Sequence, residues 1–265
     1  MLQFPEVEHG DAVRISATTF ALFEQCPDSA NARLLGNFGP DTRPAFSGGL
    51  AHRIFARHLS RGPIPAEALS QACREEIGCS ILNVKLGSLG LKPSSLGQVV
   101  EEVGELYDRF RKMPVEGFAG AEVRLEVEAA ADVILLGSVD AVFEGEADGD
   151  RLVDWKTGEL GDLVVSQLRF YALLWGLDRG RLPERVEAVS VGTGERVSEV
   201  PSSSQLIETA GRVAEMVNLL RRSWARGLLL ERRGGPWCRY CPLLEGCEEG
   251  EATIHMMGGR SVDGH

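Results

Sequence analysis

The sequence predicts an α/β domain: a mixed central β-sheet flanked by helices, with a helical layer ahead of the strands and a cysteine-rich segment at the C-terminus. Three observations predict it. Up to about residue 112, segments with helical patterning are separated by Gly-, Pro- and Ser-rich stretches. From Ala121 the apolar and polar residues alternate with the period of a strand. After Trp155 helical patterns return, interrupted by one short strand pair.

Residues 1–14 read as a flexible lead-in. Ser16 is placed to cap a short helix over 17–25 that ends near Cys26-Pro27. Gly36 to Pro44 is a loop, and residues 46–60 form a helix that carries His52. Residues 66–77 and 95–112 give two more helices around a Gly/Ser-rich stretch at 87–97, so 66–113 is a helical insert. Ala121–Val127, Val133–Phe143 and Arg151–Trp155 are strands, the last two joined by turn residues at Gly145–Asp150. A helix over 163–177 leads to a strand pair, Val186–Val191 and Arg196–Val200. Leu206, Ala210, Val213, Val217 and Leu220 recur at helical spacing and define a long helix over 203–226. The domain then spans 15–250, including the cysteine segment 236–250, and 251–265 is a disordered tail.

At 43% hydrophobic and 25% charged residues the chain has the make-up of a soluble globular protein. It has no run of eighteen apolar residues and no signal peptide, which points to the cytoplasm and away from membranes. Six cysteines in that setting favour metal binding over disulfides. A net charge of −11 opposes nucleic-acid binding unless the charge is unevenly spread, and it is. Residues 31–62 carry Arg33, Arg43, Arg53, Arg57 and Arg61 against Asp41. Residues 212–239 carry Arg212, Arg221, Arg222, Arg226, Arg232, Arg233 and Arg239 against Glu215 and Glu231. Either stretch can line a phosphate track or be a solvated helix face.

Between the two stretches lies a chemical pattern. Gly137-Ser138-Val139-Asp140 precedes Val153-Asp154-Trp155-Lys156-Thr157-Gly158, and a hairpin can set Asp140 beside Asp154. Alternation along a strand puts Asp154 and Lys156 on one face and Trp155 on the other. Two carboxylates hold a hard divalent cation, and a nearby lysine orients a water or offsets developing negative charge. That set suits metal-assisted hydrolysis of a phosphodiester. A second constellation, Cys238-x2-Cys241-x5-Cys247, can bind a [4Fe–4S] cluster or zinc, which spacing alone does not separate. Cys73 and Cys79, in the helical insert, read as structural or incidental.

Taken together, these residues resemble the RecB-like branch of the PD-(D/E)XK nuclease superfamily in its iron–sulfur form, found in AddB-like nuclease modules and CRISPR adaptation nucleases. The resemblance runs from about Ile15 to Cys247. It is carried by Ile15-Ser16-Ala17-Thr18, Leu22-Phe23-Glu24-Gln25-Cys26-Pro27, Gly48-x3-His52, the two carboxylate motifs, Gln167-x3-Tyr171 and the cysteine triplet. It implies a restriction-endonuclease-like core. It also implies a metal site of His52, Asp140, Asp154 and the Trp155 carbonyl holding Mg²⁺ or Mn²⁺, with Lys156 as the catalytic lysine. Gln167 and Tyr171, one helical turn apart, would shape the active site and contact nucleic acid. A glutamate on the preceding strand contributes in many members; Glu122 is preferred here to Glu126, which points the same way on a regular strand. Cys26 would join Cys238, Cys241 and Cys247 around the cluster.

The expected function is therefore that of a metal-dependent DNA nuclease, a single-stranded DNA exonuclease of RecB type in repair or recombination. A helicase or other repair protein is a possible partner. Two alternatives are a CRISPR-adaptation-type nuclease trimming prespacers and a non-catalytic nucleic-acid-binding subunit. Gly192-Thr193-Gly194-Glu195 lacks the lysine and length of a P-loop, so no ATP-driven motor is expected.

Overall fold

The computed structural model describes residues 3–145 and 149–258. The chain runs β1 (Val13–Ser16), α1 (Ala17–Gln25), α2 (Pro27–Leu34), α3 (Arg43–Arg61), α4 (Ala66–Gly78), α5 (Leu82–Leu89) and α6 (Pro93–Phe110). It continues through β2 (Phe118–Ala130), β3 (Val133–Glu144), β4 (Asp150–Lys156), α7 (Val164–Arg179), β5 (Arg185–Ser190), β6 (Arg196–Glu199) and α8 (Ser203–Arg226). A 3-10 turn at Pro236–Tyr240 and α9 (Glu248–Met256) close it. The result is the expected α/β fold, a mixed sheet between helices.

β3 organises the sheet. Along one edge it runs antiparallel to β2. Its other edge is shared: β1 pairs in parallel with Val133–Leu136, and β4 pairs antiparallel with Ala141–Glu144. Gly137–Asp140 lie where those two partners part. β5 then lies parallel to β4, and β6 antiparallel to β5.

Alternation along β4 builds a core on each face of the sheet. Leu152 joins Leu135, Val186, Phe170 and Leu173 beneath α1, α7 and α8. Val153 and Trp155 join Phe55, Phe110 and Phe143 beneath α3 and α6. Phe55 stacks on Phe110 with ring centroids 4.2 Å apart, and Phe110 meets the Trp155 ring edge-on at 5.2 Å. Helix ends follow local chemistry. Ser16 Oγ accepts from the Thr19 N–H, as expected for a cap, and Ser202 with Gln205 forms a capping box at the start of α8.

The lead-in is not loose. Phe4 and Val7 pack on the core, the Glu8 N–H donates to Asn218 Oδ1 at 2.8 Å, and Val13 opens a parallel strand. Buried Arg221 explains the docking: its guanidinium donates to the carbonyls of Glu8, Asp11, Ala131 and Asp132. Two helices were also not expected. α2 is held by small buried residues (Ser29, Ala30, Ala32) that leave no apolar stripe, and α5 forms across part of the Gly/Ser-rich stretch. Within the tail taken for disordered, residues through Met256 continue α9, which carries Glu248, Glu249 and Glu251 in its first turn, where acids suit the helix dipole. The remainder of that expectation, residues 259–265, and the centre of the Gly145–Asp150 turn lie outside the described residues.

Candidate active site

The site forms where β3 and β4 separate. Their ladder ends at Ala141 and Val153. Beyond that pair, the Trp155 N–H donates to Asp140 Oδ2 at 2.7 Å, so a carboxylate takes the place of a ladder carbonyl. Asp140 Oδ1 lies 3.2 Å from Nδ1 of His52 on α3. Gly48 lets that helix approach, since a Cβ there would lie 3.1 Å from Thr157 Oγ1, just past β4. One turn further along, His52 reaches the strand.

Glu122 faces Asp140 across β2, in the register set by Ala121↔Ala141 and Val123↔Val139. Its φ is +51°, a left-handed conformation inside a strand and a strained one for a residue with a Cβ. Ser138 Oγ donates to Glu122 Oε2 at 3.3 Å. His52, Glu122 and Asp140 each offer a ligand atom within 4.8 Å of the others. Glu126 is engaged elsewhere, in an ion pair with Arg14 at 2.9 Å.

Asp154 is buried, and its Oδ2 lies 2.7 Å from Lys156 Nζ. Lys156 also donates to Gln167 Oε1 on α7 at 2.9 Å. Of its three ammonium protons at least one is left to face a ligand. Tyr171, one turn after Gln167, comes close to β3 because position 137 is glycine: a Cβ there would meet Tyr171 and Leu174 at 3.1 Å.

The charges are crowded. Burial pushes the Asp154 carboxyl up; Lys156 pulls it back, Asp140 adds to the rise, and the net shift is upward. Desolvation and then Asp140 raise Glu122. For His52, burial alone would lower the pKa, but the negative charge of Asp140, reinforced by Asp154, outweighs it and raises it. Burial, with the three carboxylates nearby, holds the Tyr171 phenol well above its ordinary value, as a neutral hydroxyl. Oxygen and imidazole donors in a cluster of mutually repelling carboxylates fit a hard divalent cation, which would relieve that repulsion.

The cysteines gather at a second place. Cys26 lies between α1 and α2, Cys238 in the 3-10 turn, Cys241 just after it, and Cys247 at the start of α9. Burial raises the Cys238 thiol, and Cys241, Cys247 and Cys26 all add to the rise, so the four thiols share one neighbourhood. Gly250 leaves room for two of the sulfurs: a Cβ there would lie 3.3 Å from Cys247 Sγ and 3.6 Å from Cys238 Sγ. Cys241 Sγ meets Ser29 Oγ at 3.5 Å. Arg232 pairs with Asp28 at 2.8 Å and Arg233 donates to the Glu24 carbonyl at 2.9 Å, clamping the segment to α1 and α2. Such thiols, which as thiolates would oppose one another, suit a soft, positively charged metal centre. Cys73 sits buried on α4 with its thiol pushed up to about 11, and Cys79 is exposed beside Arg53 and Glu76.

The two arginine stretches fare differently. In the second, Arg212 pairs with Glu24, Arg222 with Glu8 and Arg232 with Asp28, while Arg221 is buried. Much of its charge is spent holding the lead-in and the cysteine segment in place. In the first, Arg43 pairs with Glu102, Arg53 with Glu76 and Arg57 with Glu75 and Glu76, and Arg53, Arg57 and Arg61 line a cleft that ends at Glu122.

The sequence matches the model of the PD-(D/E)XK nuclease superfamily over residues 14–248, and the chain belongs to that superfamily. It is a nuclease by descent; such enzymes act on nucleic acids and generally use divalent metals. Among solved structures, a candidate exonuclease from Eubacterium rectale superposes with a TM-score of 0.53 at 13% identity, over 83% of this chain and 84% of that one, which is a likeness of fold. The structure of SSO0001 aligns with a TM-score of 0.37 at 14% identity, over 92% of this chain and 88% of that one. No curated protein matches the sequence. Among the described residues no helix is long and apolar enough to cross a membrane.

Proposed function

We propose that the chain is a metal-dependent deoxyribonuclease of RecB type, an exonuclease acting on single-stranded DNA or single-stranded ends in repair or recombination. The observation that carries the hydrolytic reading is the fork itself. There Asp140 is tied to both the Trp155 N–H and His52, Glu122 stands opposite, and Lys156 is held between Asp154 and Gln167. The preference for single strands and ends rests on the motif resemblance.

In this reading His52, Glu122, Asp140, Asp154 and the Trp155 carbonyl hold Mg²⁺ or Mn²⁺. Such a cation lowers the pKa of a bound water and polarises the scissile phosphate. Lys156, fixed by two partners, points a remaining N–H at the attacking oxygen or at the charge developing on phosphorus oxygens. Gln167 keeps that ammonium aimed. Tyr171, as a neutral hydroxyl, offers a donor beside the carboxylates. Cys26, Cys238, Cys241 and Cys247 hold a [4Fe–4S] cluster with a structural role, tying the start of the domain to its last segment; zinc is the alternative occupant.

The test is Mg²⁺- and Mn²⁺-dependent cleavage of end-labelled single-stranded DNA by anaerobically purified protein, beside its Lys156→Ala variant. Cleavage that needs metal and is lost in the variant is expected, with the label reporting direction. Well-folded, metal-replete protein that leaves both single- and double-stranded DNA intact would remove the catalytic reading and favour a nucleic-acid-binding subunit.

A further inference from the structure

Arg53, Arg57 and Arg61 follow one another at four-residue spacing on α3, immediately after His52. Four residues of helix rise about 6 Å, close to the repeat of successive phosphates along an extended strand. With Ser60, Glu76 and Glu122 they line a cleft of about 210 Å³. We propose that this cleft seats the backbone phosphates next to the scissile one, so that the strand leaves the metal carboxylates along α3. The proposal rests on the nuclease reading and gives it a direction across the protein.

Two further observations support it. The cleft is continuous with the site, because Glu122 belongs to both the cleft wall and the ligand cluster. Arg61 makes no ion pair among the described residues, whereas Arg53 pairs with Glu76 at 3.1 Å and Arg57 with Glu75 at 2.7 Å and Glu76 at 3.6 Å. The two α4 glutamates thus stand where a polyanion would compete for the same guanidiniums. A side chain's worth of acid on one bank and unpaired arginine on the other makes a site that phosphate can enter by exchange.

The exchange gives the proposal changes of opposite sign. Binding of a short fluorescent oligodeoxythymidylate is measured in EDTA across a salt series, with KM and kcat measured separately in Mn²⁺. Arg61→Ala should weaken binding and reduce the salt slope by about 0.7, raising KM several-fold with kcat nearly unchanged. Arg61→Lys should restore part of the affinity. Glu76→Gln should tighten binding, because it frees Arg53; an ion pair that serves only stability would lower the melting temperature and leave affinity alone. Arg226→Ala, in the second arginine stretch, should change neither. If the wild type cleaves DNA while Arg57→Ala and Arg61→Ala keep its KM and salt slope, the cleft is not the path and the nuclease reading stands. If the wild type neither binds nor cleaves the oligonucleotide, both readings fall.

Discussion

The Trp155 N–H reaches Asp140 Oδ2 at 2.7 Å, with Asp140 one residue and Trp155 two residues beyond the last ladder pair of β3 and β4. The bond does two things. It satisfies a backbone donor that the fork would otherwise leave bare in a buried position. It also fixes the carboxylate so that its other oxygen faces His52. Asp140→Asn keeps an oxygen for Trp155 and removes the charge. The variant should fold, and its metal-free melting temperature should equal or exceed the wild-type value, since carboxylate repulsion is relieved. Cleavage should fall at least about a hundredfold, as expected when several kcal/mol of metal-derived stabilisation is lost. Differential scanning calorimetry and a cleavage assay check the two halves; a variant that unfolds would show that the carboxylate's part is structural.

Glu122 and Glu126 give a sharper pair. Glu122 approaches Asp140 and His52, while Glu126 is bound to Arg14 on the surface. Glu122→Gln should weaken Mn²⁺ binding at least about tenfold, the scale of lost support at metal sites. Glu126→Gln should leave it alone. Calorimetric titration of the two variants with Mn²⁺ decides, and equal losses would move the ligand assignment away from β2.

That choice marks the limit of what the sequence reveals. Period-two alternation places Asp154 and Lys156 on one face and Trp155 in the other core, and the structure agrees. The same alternation makes Glu122 and Glu126 equivalent. What separates them is register, which sets Glu122 opposite Asp140 and Glu126 opposite Leu136, and no residue type announces it. β1 was hidden for another reason: four residues make a parallel strand only because Val13 finds Val133, far along the chain. α2 lacks an apolar stripe because it buries serine and alanine. The arginine stretches looked alike as sequence, and the acids that pair with them come from other segments, Glu75, Glu76 and Glu102 for the first and Glu8, Glu24 and Asp28 for the second.

A buried pair in the insert-side core predicts a pH dependence. The Tyr107 hydroxyl accepts from the Ile64 N–H at 2.7 Å and also bonds His58 Nδ1 at 2.9 Å, in a direction set by the imidazole tautomer. His58 is buried, and burial lowers its pKa from the ordinary value near 6.5. The unfolded chain then binds more protons than the native one as pH falls through that value. Stability attributable to His58 is complete above it and declines on acidification toward the lowered native pKa. Between pH 7 and pH 5 the urea midpoint of the wild type should fall relative to that of His58→Phe, which lacks this contribution. Tyr107→Phe leaves both partners unsatisfied and should cost about 1–3 kcal/mol. A profile unchanged in His58→Phe would assign the acid sensitivity to other groups.

The cysteine neighbourhood makes the last prediction, and its strength is that folding and metal content must move together. Cys26 precedes α2, whereas Cys238, Cys241 and Cys247 follow α8, so a shared centre joins segments that the sheet keeps in separate parts of the sequence. Arg232 and Arg233 already hold them close, through Asp28 and the Glu24 carbonyl. The clamp alone leaves the Cys238 thiol raised by burial and by the other three cysteines, an arrangement that metal ligation would relieve. Anaerobically purified protein should contain iron and sulfide in equal amounts and absorb in the visible range. Cys26→Ser and Cys247→Ser should lose both, along with at least roughly several kcal/mol of stability; Cys79→Ser should lose neither. Zinc in place of iron would keep the staple and remove the cluster. Metal-free protein with unchanged melting temperature and activity would show that the four thiols need no metal, and that the arginine clamp alone holds this end of the domain.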